Sequence, residues 1–164
     1  MRSDLFPDPF HHASVDDCGP SALTRGERVL LWMLRQWVTA RVLEQEPRER
    51  LSREVGALVS PRVTAAFTLM ITTIEAQVRR PLRIAAPCRQ GYAEDEQRVV
   101  TACGVCPASP EIAGRLLESL VIAPEAVIVT ARFLNLALAH EELALPVRFE
   151  EPGRTPAAAR PTLH

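Results

Sequence analysis

Lysine is absent from this chain: all 19 Lys+Arg positions are arginine. Without a lysine there is no Schiff-base nitrogen and no P-loop cation, so those two chemistries are excluded. Aromatic residues make up only 5% of the 164 residues. No Gly-x-Ser-x-Gly elbow and no dinucleotide fingerprint occurs, and His140, beside Glu141 and Glu142, has no histidine at metalloprotease spacing. A non-enzymatic protein is therefore expected. The net charge of −1 removes any overall electrostatic case for nucleic acid or for an anionic membrane. The segment MRSDLFPDPFHH has no basic stretch leading into an apolar one, so no secretory leader is expected. The longest apolar run, Leu120–Ala139, is interrupted by Pro124, Glu125, Arg132 and Asn135. It reads as a buried bundle helix and not as a membrane span. A cytoplasmic location follows as the expectation. In a reducing compartment four cysteines suggest free thiols, metal ligands or redox chemistry before disulfides.

What is present describes an ordinary globular domain, 47% apolar and 24% charged. A chain of this length buries about 70% of the surface it exposes when unfolded, so it needs no covalent staple. Residues 1–20 form an expected flexible arm, broken by Pro7, Pro9 and Pro20 and carrying His11 and His12. Residues 21–149 read as a single helical domain, and the Pro/Ala-rich stretch 150–164 reads as a disordered tail.

Within the domain, prolines and caps punctuate about six helices. Thr24 and Glu27 fit a capping box that opens a helix from about Arg25 to Gln45. A second helix is expected over Arg48–Val59. Ser60-Pro61 starts a third, to about Val78, with Val63, Ala66, Phe67, Met70, Ile71 and Ile74 on its core face. Glu94-Asp95-Glu96 suits the first turn of a fourth helix, to about Cys103, where the macrodipole favours negative charge. Ser109-Pro110 and Ala123-Pro124 open the last two, to about Ile122 and Leu143. The first helix is apolar around most of its girth; Arg28, Trp32, Arg35 and Thr39 share its narrow remaining stripe. Trp32 and Trp37 are accordingly expected at a homodimer interface, or Trp32 under a stacked arginine.

The two halves rhyme. Leu58-Val59-Ser60-Pro61, a long helix and Pro81-Leu82-Arg83-Ile84 parallel Leu120-Val121-Ile122-Ala123-Pro124, a long helix and Pro146-Val147-Arg148-Phe149. An all-α, pseudo-symmetric bundle from an internal duplication, with repeats 18–84 and 88–149, is the expected fold. The two Pro–apolar–Arg–apolar segments are expected to form at most a short β pairing, with Arg83 and Arg148 on one face.

Candidate chemistry gathers between Arg79 and Pro110. Cys103-Gly104-Val105-Cys106-Pro107 has the spacing that lets two thiolates reach one metal across a tight turn, with Cys88 and Cys18 as further ligands and zinc as the metal. His140 is an alternative fourth ligand. The same pair, Cys103 and Cys106, can instead be a redox dithiol; Cys106-Pro107 is also a two-residue haem-responsive pattern, and inert buried thiols are the ordinary alternative. Arg80, Arg83 and Arg89, beside Arg79, form a basic patch able to grip an anion unless the acids of the next helix engage it. The run Arg80-Pro81-Leu82-Arg83-Ile84-Ala85-Ala86-Pro87-Cys88, followed by Asp95-Glu96, resembles a family of small uncharacterised helical bacterial proteins. The resemblance covers Arg79–Phe149 and implies helical architecture and no catalysis. Taken together, the sequence points to a regulatory or protein-interaction protein, homodimeric or bound to another protein, with a thiol-redox protein as the alternative.

Overall fold

A computed structural model describes residues 14–149. The histidines at 11 and 12, most of the arm, and the tail lie outside the described residues. Among those residues the chain is all-α: a short 3₁₀ turn at Val15–Asp17 precedes α1 (Arg25–Val42), α2 (Pro47–Val55), α3 (Pro61–Glu75), α4 (Glu94–Val105), α5 (Pro110–Leu117) and α6 (Pro124–Ala139).

The helix starts are where local chemistry puts them. Thr24 and Glu27 close the capping box of α1: the Glu27 N–H donates to Thr24 Oγ1 at 3.3 Å and the Thr24 N–H to Glu27 Oε2 at 2.7 Å. Pro47, Pro61, Pro110 and Pro124 each stand at a first helical position, where the missing N–H is no loss. Helix ends depart further from expectation. α1 stops at Val42 because Glu44 turns into the left-handed region at φ 55°, and the Gln45 N–H reaches back to Ala40 O at 2.8 Å. That turn usually uses glycine, so no residue type announced it.

The core is built around α1. Every residue from Val29 through Trp37 is buried, including Arg35 and Gln36. α2 packs back on α1 as a hairpin, α5 does the same on α4, and α3 lies against α6. The α3–α6 pair is antiparallel, and each helix caps the other. The backbone N–H of Ser60, ahead of α3, donates to the Glu141 carboxylate two residues beyond the end of α6. The N–H of Ala123, ahead of α6, donates to Gln77 Oε1 two residues beyond the end of α3, at 2.9 Å. These contacts satisfy amides that helix starts otherwise leave without partners.

The expected pairing of Leu82-Arg83-Ile84 with Val147-Arg148-Phe149 is corrected. The one β contact among the described residues is an antiparallel bridge between Val78 and Val121. Arg148 instead clasps Glu27 at the start of α1 in a bidentate pair, 2.6 and 2.9 Å. The chain after α6 thus runs as a strap over the bundle. It passes so close to α1 and α4 that a Cβ on Gly26 would strike Leu143 O, and one on Gly104 would strike Pro146 O.

Candidate functional site

Glu94, Asp95 and Glu96 form the first turn of α4; Asp95 and Glu96 are fully buried there, and only Glu94 of the three is exposed. Glu96 pairs with Arg35 through two hydrogen bonds of 2.8 and 3.0 Å, with both side chains inaccessible. Glu96 also accepts the Ala85 and Ala93 N–H groups at 2.8 and 2.7 Å. The remaining Arg35 donors reach Gly91 O at 2.7 Å, Cys18 Sγ and Pro87 O at 3.5 Å, and Arg89 O. A buried ion pair is tolerated only when its leftover donors and acceptors are satisfied in this way. Here the pair ties α1 to α4 and wraps residues 85–93 around the joint.

Asp95 performs the matching task for the preceding residues. It accepts two bonds from Arg80, at 2.7 and 2.8 Å, and one from the Arg83 N–H at 2.7 Å. Burial pushes the Asp95 carboxyl up, but the Arg80 and Arg83 hydrogen bonds and the Arg80 charge outweigh it and hold the group below the ordinary aspartate range. Arg80 is thereby removed from the expected anion patch. Arg83 and Arg89 are exposed, and neither side chain is in an ion pair among the described residues.

The expected tryptophan interface is also corrected. Trp32 and Trp37 are 4% and 2% exposed and belong to the core. Trp37 donates to Glu75 Oε1 at 2.9 Å and meets Phe67 edge-on at 6.1 Å. The arginine over an indole is Arg41, 5.5 Å from the Trp37 ring, and not Arg28 or Arg35 on Trp32. Of the polar stripe on α1, Trp32 and Arg35 are buried, Arg35 against α4 and the 85–93 segment, while Arg28 and Thr39 are half-buried.

The four cysteines are not brought together. Among the described residues no three His, Cys, Asp or Glu side chains converge as a metal would require. Cys103-Gly104-Val105-Cys106 is no turn; it is the last turn of α4 and its cap, with Pro107 just beyond. Cys103 Sγ lies 3.4 Å from Met70 Sδ. Cys106 Sγ lies 3.3 Å from Cys103 O, which also accepts from Asn135 Nδ2 at 2.6 Å. Burial pushes both thiols up, well away from the thiolate; for Cys106 the Arg132 charge and Asn135 offset only part of that. Cys18 is buried beside Arg35, and burial, against the pull of Arg35, pushes its thiol up to about 11. Cys88 alone is exposed. His140, exposed, caps the end of α6.

A different feature stands out on the surface. α6 buries Val127, Ala131, Leu134 and Leu138 on its inner face. On the opposite face Val129, Phe133 and Leu136 are 53%, 56% and 63% exposed, with exposed Ala126 among them. At about 100° per residue these four fall in one stripe. Ile122, just ahead of the helix, is exposed as well. An open groove of about 390 Å³, lined by Pro107, Arg132, Asn135, Leu136 and Ala139, borders the stripe. A monomeric surface seldom carries so aligned a row of large apolar groups without a contact to make. From its sequence the run Leu120–Ala139 reads as a buried bundle helix throughout. The signal was the apolar residues recurring on both faces.

Comparisons with protein-family models, with curated proteins and with solved structures found no match to this chain. No helix among the described residues is long and apolar enough to cross a membrane.

Proposed function

We propose that this chain is a non-catalytic protein-interaction module that presents the outer face of α6 to a protein partner. The observation that carries this reading is the second apolar stripe of α6, with Phe133 at its middle. The buried charges support it by what they do. Arg35, Glu96, Arg80 and Asp95 bond to one another and to nearby backbone. They hold a scaffold and do not line a cavity where a substrate would sit. The thiols of Cys103 and Cys106 face the core as packing groups.

The test is photocrosslinking in cells of the source organism, with a benzophenone amino acid at Phe133 and, as control, at exposed Arg53 on the far hairpin. Protein adducts are expected from Phe133 only, and Leu136→Glu on the same stripe should suppress them. Equal labelling from both positions, or none from Phe133, would overturn the reading.

A further inference from the structure

The partner of this face can be argued from its own pattern. α6 contains two charged side chains, Glu125 and Arg132, of opposite sign. They stand seven residues apart, two helical turns, on one flank of the apolar stripe. Neither is engaged in an ion pair among the described residues. In an antiparallel helix pair related by a twofold axis, the same flank of each helix faces its copy. Placing the axis at Val129 brings Glu125 of one copy to within one residue, about 1.5 Å, of level with Arg132 of the other on the same flank, and the reverse. The same register brings Phe133 to within one residue of level with Ala126, a large ring beside a small side chain, and sets Leu136 toward Ile122. Val129 meets itself on the axis. One register therefore matches size with size and charge with charge, which is the self-complementarity a twofold interface requires.

We infer that the α6 face binds a second copy of this chain, antiparallel, in a register centred on Val129. This inference rests on the proposed interaction role of the same face. The contact is small. A helix of 16 residues is about 24 Å long and roughly 10 Å across, a footprint well short of the about 800 Å² per partner of a standard interface. The dimer is accordingly weak, with a micromolar or weaker dissociation constant. It exchanges rapidly with monomer.

Sedimentation of the full chain from micromolar to millimolar concentration tests this directly. A concentration-dependent shift from monomer to dimer is expected, and Phe133→Glu should abolish it. Glu125→Arg and Arg132→Glu, both at exposed positions that leave the fold alone, should each weaken association roughly tenfold, since each breaks two rim pairs. The double exchange, Glu125→Arg with Arg132→Glu, restores opposite charges across the axis and should recover most of the loss. A chain that remains monomeric throughout, or a double variant no better than the singles, overturns the inference. The Phe133 crosslink separates the two levels. Adducts to a different protein from a chain that is monomeric in solution refute the second copy and leave the interaction face standing. Absent adducts refute the face.

Discussion

Cys88 is the one exposed thiol of four, and its three fellows show what burial does to a reactive side chain. Cys18, Cys103 and Cys106 lie inside the bundle, where charge on sulfur is disfavoured and reagents have no path. Alkylation of the native protein should therefore label Cys88 quickly and the others only on unfolding. Mild oxidant should leave Cys103 and Cys106 unjoined. Mass spectrometry of the labelled chain checks both outcomes, and fast native labelling at Cys103 would revive a dithiol role. A sequence shows that two cysteines are three apart, but not that the helix carrying them continues past the second, with both turned to the core. Arg35 teaches the same lesson. Its helical phase was readable, yet phase fixes only a direction; Glu96, 61 residues later, decides that the direction is inward.

At the scale of elements, starts were legible and ends were not. Four proline-led helices and one capping box are local chemistry written in a few adjacent residues. The end of α1 depends on a left-handed Glu44, and the length of α4 depends on packing. Gly104 was likewise opaque. In isolation a glycine in the last helical turn should be improved by alanine, by up to about 1 kcal/mol. Here the strap crosses it, so Gly104→Ala should instead destabilise, by roughly 1–3 kcal/mol as overpacking does. Thermal or urea melts read the sign, and a stabilised variant would show that the strap does not press on α4. The outer stripe of α6 was present in the sequence as a second apolar face. It went unrecognised because an apolar helix is ordinarily explained by burial.

For the whole molecule, the buried Asp95 makes stability depend on pH in a definite sense. The folded Asp95 carboxyl titrates below its unfolded value of about 3.9. Its contribution is then complete above that unfolded value and drains as pH falls through the lower folded one. The melting temperature should hold steady from neutrality to about pH 5 and decline at lower pH. Asp95→Asn should lower the neutral plateau and flatten the acid decline. An unchanged acid limb in that variant would mean that other carboxylates set it.

The clasp between Arg148 and Glu27 joins groups 121 positions apart. A ribosome adding about 5–20 residues per second needs roughly ten seconds to bring the second after the first. Throughout that interval α1, which carries the long buried run Val29–Trp37, has emerged without its last fastening. Chains released early, before Leu143, Pro146 and Arg148 are made, would carry the amphipathic hairpins but leave Gly26 and Gly104 without the strap that covers them, and quality-control proteases would find them open.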